Sequence, residues 1–333
     1  MDLLAHAADD GSRLEPFTSN VTRDSFAFVH CRQMGASNGL TEAPFEGVVD
    51  PASPEGAPLA LTAFQLGHRV LYHWQRLDAD RPELATRLST FLKTKRLYCS
   101  SPGAFNDPWD CRPHFNTELL QDRRELRKRA DWAVDVCNRR KPMSPGDTAR
   151  MHHTLLNDVP YATRLLVQMS EDLAPAINQR YRVYCLGPDP TNVLMWSHYS
   201  GDHRGICLEF SLRNEVTCCA LECEYLAEFA MMGPYHMSEE EELRVLLAKS
   251  DVWSYEKEFR LVAQERSQAI RGADTLMTDD SFLQLPANAL TAIIVGCQGD
   301  YNQVKNIVDA SDPSVKVKRA VRVPNRYRLL VEE

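Results

Sequence analysis

The sequence predicts a mixed α+β domain with a central, mostly antiparallel sheet and a helical insertion. Three observations point there. The chain leaves its Pro- and Gly-rich start through a strand, helix and strand; a stretch at about 117–180 then takes helical spacing; and strands return from Arg182 to the end. At 333 residues and 44% hydrophobic composition, the chain can bury a sizeable core.

The elements follow in order. Residues 1–64 read as an N-terminal arm and linker, with an ordered-looking patch at Ser25, Phe26, Ala27, Phe28 and Val29 and then the run A-P-F-E-G-V-V-D-P-A-S-P-E-G-A-P. Residues 65–333 form a single domain in this reading. Arg69 to Trp74 is a strand, Pro82 opens a helix to about Leu92, and Lys95 to Cys99 is a second strand. In the insertion, Leu119, Leu126, Ala133 and Val136 mark one helical segment, and Leu155, Leu165, Val167 and Met169 another. Strands are expected at Arg182–Leu186, Gly205–Phe210, Val216–Tyr225 and Val252–Val262, with a short helix near Thr191 and an acidic helix from Ser238 to Lys249. Leu290–Gly296, a helix at Tyr301–Ala310, Val315–Val317 and Tyr327–Leu330 close the chain, which has no internal repeat.

Charge and composition narrow the function. The formal net charge of −8 argues against a constitutive nucleic-acid or anionic-membrane binder, although it leaves room for a local basic patch. The run from Arg123 to Arg129 is interrupted by Glu125 and reads as a solvated helix face. No stretch reaches the apolar length of a membrane-spanning helix and the N-terminus has no basic, apolar leader, so a cytoplasmic protein is expected. The ten cysteines are scattered, mostly inside apolar strands, and read as buried small hydrophobes of a reducing compartment. Cys218, Cys219, Cys223 and His236 lack the paired spacing of a zinc site, and no metal is expected.

The best candidate for chemistry is W-S-Y-E-K-E-F-R-L at Trp253 to Leu261. Read as a strand, it places Glu256, Glu258 and Arg260 on one face and Trp253, Tyr255, Phe259 and Leu261 on the other. Two adjacent carboxylates repel, so one pKa rises unless a cation such as Arg260 holds both ionised. The plainer reading is an antiparallel strand with one wet face. Three further segments carry polar or aromatic side chains. The loop Ser100 to Asp110 offers Asn106 and Asp107, either to a ligand or to its own turn; W-S-H-Y at Trp196, Ser197, His198 and Tyr199 offers an aromatic wall; and Tyr72, His73 and Trp74 alternate on the first strand. Ser197 and His198 point apart on a helix and lack a nucleophile elbow, so they do not form a hydrolase triad.

Taken together, Y-H-W, F-N-D-P-W-D, W-S-H-Y-S-G-D-H-R-G-I-C-L-E-F, Y-E-K-E-F-R and L-T-A-I-I-V-G resemble the bacterial domain of unknown function 2971, from about Arg69 to the C-terminus. More distantly, the order of strand, helix, exit loop, central aromatic motif and late E-x-E strand resembles ADP-ribosyltransferases. That resemblance implies a split sheet and an NAD-consuming transferase acting in bacterial defence or as a toxin-like effector. It implies Glu258 as catalytic carboxylate, Glu256 as the group that activates the acceptor, and Arg260 or Ser197 bonding a neighbouring polar group. His73, beside Tyr72, would hold NAD, and Trp196 or Tyr199 would stack on nicotinamide, next to His198. The acceptor is open between protein, nucleic acid, small molecule and water. The Ser-Thr-Ser triplet usual in such enzymes is absent. Two other readings stand beside this one: a magnesium-dependent phosphodiesterase or nuclease using Asp107, Asp110, Glu256 and Glu258, and a noncatalytic interaction module.

Overall fold

Strand β1 (Val70–Gln75) is followed by helix α1 (Pro82–Thr94), with Pro82 at its first turn and Lys95 in a left-handed cap at φ 55°. These positions come from a computed structural model that describes residues 60–78, 80–232, 239–268 and 275–333. The patch at Ser25 to Val29, most of the expected arm and His236 lie outside the described residues. Strand β2 (Arg96–Tyr98) leads through the polar loop to β3 (His114–Phe115). Three helices then form the insertion: α2 (Arg123–Arg140), α3 (Pro145–Asn157) and α4 (Val159–Arg180). Each starts at a side-chain cap, Asp122, Ser144 and Asp158 accepting from backbone N–H groups of the first turn. This is why the helical spacing read from the sequence becomes three separate helices.

Strand β4 (Tyr181–Leu186), helix α5 (Val193–Tyr199) and β5 (Ile206–Ser211) come next. The expected strand at Val216–Tyr225 is instead broken. A 3₁₀ turn at Thr217–Cys219, held by Asn214, is followed by the short strands β6 (Leu221–Glu222), β7 (Glu224–Leu226) and β8 (Met231–Met232). The acidic helix is α6 (Glu239–Leu247), and its last expected residues belong to β9 (Ala248–Ser250). The expected strand at Val252–Val262 also needs correction. Asp251–Glu256 is a 3₁₀ helix, Lys257 is left-handed at φ 48°, and only then does β10 (Phe259–Glu265) begin. Strands β11 (Leu276–Thr278), β12 (Phe282–Gln284) and β13 (Leu290–Val295), helix α7 (Tyr301–Ser311), β14 (Lys316–Arg322) and β15 (Leu329–Glu332) complete the chain.

The fold is mixed α+β around a curled, mixed sheet. Five strands run in the order β1-β5-β13-β14-β15, antiparallel except for β13 with β14. In a second sheet, β10 pairs antiparallel with β4 and β6 and parallel with β11. One reciprocal bridge sews the two sheets together: Tyr72 N–H donates to Gly187 O and Gly187 N–H to Tyr72 O, each at 2.8 Å. A side chain at Gly187 would meet the Trp74 ring at 3.1 Å and the Glu256 carbonyl at 3.3 Å, so glycine lets three segments close there.

Alternation along the strands builds cores on both faces. Leu71, Leu208, Phe210 and Ile293 pack with Leu88 and Leu92 of α1 and with Val304 and Val308 of α7. On the opposite face Trp74, Cys207 and Ile294 receive Met195 and Trp196 of α5. The insertion buries Leu166 and Ile177 against Val183 of β4 and Val262 of β10. Burying one such side chain contributes roughly 1.5–3 kcal/mol.

Candidate active site

The residues Glu256, Glu258 and Arg260 do meet, but inside the protein rather than on a wet strand face. Their residual exposures are 3%, 2% and 0%, which excludes the solvated reading. Glu258, just before β10, and Arg260 within it lie two residues apart and bond each other, while Glu256 reaches them from the 3₁₀ helix because left-handed Lys257 folds the chain back. The face opposite them carries Phe259 and Leu261 into the core, as alternation requires.

Lys249, at the middle of β9, is the hub. Its Nζ lies 2.6 Å from a Glu256 oxygen, 2.6 Å from a Glu258 oxygen and 4.0 Å from Asp110. Arg260 is the second cation. Its Nε donates to Glu258 at 2.8 Å, its Nη2 to Asp110 at 2.7 Å, and its Nη1 to Asp110 at 3.0 Å and to the Leu246 carbonyl at 2.6 Å. The Glu258 backbone N–H donates to the Tyr225 hydroxyl at 2.7 Å. Three carboxylates thus face two cations, leaving one negative charge when all five are ionised. Burial alone would raise the Glu258 carboxyl, but Arg260 and Lys249 overcome it and hold it at about 2. Burial works against the Lys249 ammonium, yet Glu258 and Glu256 push its pKa above the usual lysine range. Such a network is costly to desolvate and holds together only because each member is bonded.

The polar exit loop of β2 and helix α5 close the site. Asn192 caps α5 through the N–H groups of Leu194 and Met195, and its amide donates to the Tyr255 carbonyl at 2.9 Å. That cap aims Tyr199, whose hydroxyl donates to Glu256 at 2.7 Å and also bonds exposed Asn106. Burial and the Glu256 charge raise the Tyr199 pKa, so the phenol keeps its proton. Asp107 accepts from the Trp253 indole at 2.7 Å and from Trp109 N–H at 2.9 Å. Exposed His198 stands among the rings of Tyr199, Trp253 and Tyr255, with centroids 6.2, 6.5 and 6.3 Å away. An aromatic surface therefore lies next to the buried charges, and Tyr199 links the two.

Other expected site residues lie elsewhere. Trp196 is fully buried, with its indole donating to the Pro190 carbonyl at 2.7 Å, so it offers no wall to a ligand. Ser197 is exposed on α5. His73 stacks on Tyr184 at 4.2 Å with Nδ1 2.8 Å from the Cys185 carbonyl. Burial lowers its pKa to about 4, so it is neutral at pH 7 and joins the hydrophobic side of the sheet seam. Tyr72 packs with the α5 cluster, and burial and Glu209 push its pKa up to about 12.

Sequence reasoning missed Lys249. A lysine ending an acidic helix carries no local mark of a buried hub, since its partners lie 7 and 9 residues on and in a distant loop. Asp110 and Trp253 were legible as motif members but not as partners of Arg260 and Asp107. A magnesium site built on Asp107, Asp110, Glu256 and Glu258 does not fit this geometry. The Lys249 ammonium stands where a bridging metal would, and Asp107 is taken by Trp253 and Trp109. Among the described residues no group of three His, Cys, Asp or Glu side chains is arranged to hold a metal, and no helix is long and apolar enough to cross a membrane. No protein-family model, curated protein or solved structure matches the chain.

Proposed function

We propose that the chain is an NAD-consuming transferase of the ADP-ribosyltransferase type, within the domain of unknown function 2971 family, acting in the bacterial cytoplasm in defence or as a toxin-like effector. One observation carries this reading. The β2 exit loop, helix α5, β9 and residues 251–260, far apart in sequence, converge on one anionic network that reaches the aromatic surface through the Tyr199–Glu256 hydrogen bond and through the Lys249 ammonium, 5.4 Å from the centre of the Trp253 ring. In this reading the β1/β4 seam corresponds to the split of the transferase sheet.

The chemistry follows from charge. When the bond between C1′ of the ribose and the nicotinamide nitrogen breaks, its electrons leave with nicotinamide and positive charge grows on the ribose. A fixed carboxylate stabilises that charge; the acceptor then bonds to C1′ and gives up its proton. Glu258 is saturated by Arg260 and Lys249, which makes it the positioning residue of the network. Glu256 takes the catalytic place, because Tyr199 ties it to the surface where the nicotinamide ring would lie against Tyr199, Tyr255 and Trp253. This reverses the roles that the family resemblance implies for the two acids.

The test is calorimetric titration of the full chain with NAD. Binding that weakens at least about tenfold in Tyr255→Ala and Asn106→Ala supports the reading, whereas no heat at millimolar NAD, with folded protein, overturns it. The noncatalytic reading draws its support from the burial of Glu258 and Arg260, and it predicts the second result.

A further inference from the structure

The C-terminal hairpin carries a charge opposite to that of the whole molecule. Between residues 313 and 331 there are six basic side chains, Lys316, Lys318, Arg319, Arg322, Arg326 and Arg328, and no acid, in a chain of net charge −8. Lys318 is committed to Glu209 at 2.9 Å, and Lys316 lies 4.0 Å from Glu333. Arg319, Arg322, Arg326 and Arg328 are exposed and form no ion pair with the described carboxylates.

The hairpin is firmly built. Val323 N–H donates to the Arg328 carbonyl at 2.9 Å and Arg326 N–H to Val323 O at 3.3 Å, with Asn325 left-handed at φ 59°. Arg322 sits opposite Leu329, so the turn gathers Arg322, Arg326 and Arg328 at one end of β14 and β15. Tyr327, between two of these arginines, is fully exposed at 107%. A bare tyrosine gains nothing from folding, and leaving four cations unpaired keeps them free for an anion.

We propose that this hairpin docks single-stranded nucleic acid, with Arg322, Arg326 and Arg328 on phosphates and Tyr327 stacked on a base. Repeated cations along a strand suit a backbone of repeated phosphates, and an exposed ring among arginines suits an unstacked base. The overall negative charge does not prevent it. Charges farther than about 8 Å are screened at physiological salt, so the local patch decides the contact. A membrane fits less well, because the tip residues Pro324 and Asn325 offer no apolar wedge. The hairpin shares the sheet face of the candidate site: Ala320 and Leu329 pack in the same cluster as Trp196, with Tyr199 against it. The proposal stands without the NAD reading; if both hold, the docked strand is a candidate acceptor.

The experiment is fluorescence anisotropy of the full chain with labelled oligothymidylate of about 20 nucleotides over a salt series. The combined variant Arg322→Ala, Arg326→Ala and Arg328→Ala should weaken binding at least about tenfold and lower the salt slope by about 2. The control variant Arg123→Ala, Arg124→Ala and Arg127→Ala on α2 should bind as the parent does, and Tyr327→Ala should weaken binding several-fold. All these side chains are exposed, so melting temperatures should not move. No binding by the parent, equal losses in the two arginine variants, an unaffected Tyr327→Ala, or binding to phosphatidylserine vesicles but not to the oligonucleotide would each overturn the proposal.

Discussion

At the scale of single residues, the charged hub is both the strongest and the most fragile feature. Removing the ammonium in Lys249→Met leaves Glu256 and Glu258 buried without it, a change expected to cost about 3–5 kcal/mol, measurable as a fall in the urea midpoint. Glu258→Gln is expected to destabilise as well, because Arg260 and Lys249 lose their shared counter-charge; lost activity in that variant would therefore not by itself identify a catalytic group. The Glu258 carboxyl sits at about 2 in the folded protein against an ordinary 4.5, so its contribution is present above the unfolded pKa and fades as pH falls from about 5 to 2. That shift corresponds to about 3 kcal/mol. His73, lowered from 6.5 to about 4, adds a second window. The unfolded chain binds its proton first, so stability falls as pH drops from about 6.5 to 4, and His73→Gln should flatten that part of the profile. A stability curve unchanged by His73→Gln between these values would contradict the neutral, buried imidazole. Glu256, Glu258 and Arg260 were legible in the sequence as a cluster, although Glu256 joins it from a 3₁₀ helix and not by the strand alternation that singled it out. Lys249 was not, because long-range pairing leaves no mark in local spacing.

At the scale of elements, helices were read more faithfully than the strands around the site. Their starts are written in Asp122, Ser144, Asp158 and Asn192, which fold locally. The stretch from Trp253 to Leu261 alternates polar and apolar residues, yet half of it is 3₁₀ helix. Lys257 adopts a left-handed turn with no glycine or asparagine to announce it, and tertiary ion pairs stabilise what local preference would not. The break at Val216–Tyr225 was equally hidden, since Asn214 binds the turn through side-chain contacts that spacing does not report. Helix α5 shows how an element positions the site. Asn192→Ala removes its cap and the bond to the Tyr255 carbonyl, and should cost about 1 kcal/mol while loosening Tyr199 from Glu256. Thermal melting checks the first effect. On the proposed reading, NAD binding weaker than the parent's at the same temperature checks the second.

At the scale of the whole molecule, the Tyr72–Gly187 bridge joins the two sheets, and the candidate site lies where that seam receives α5 and the β2 loop. The mixed α+β character was visible in the sequence, while the short strands β3, β8, β9, β11 and β12 were not. How the segments come together was not, because Asn106, Tyr199, Lys249 and Glu256 are neighbours only after folding. Gly187 is the point where this assembly is tightest, and Gly187→Ala should destabilise the protein by about 1–3 kcal/mol through its contacts with Trp74 and the Glu256 carbonyl. The most direct test of the catalytic assignment is nicotinamide release from NAD by the parent and by Glu256→Gln, with and without candidate acceptors, at matched melting temperature. Release by the parent that falls at least about a hundredfold in Glu256→Gln is the predicted result. Release that survives in Glu256→Gln, or none from the folded parent with any acceptor, contradicts the assignment.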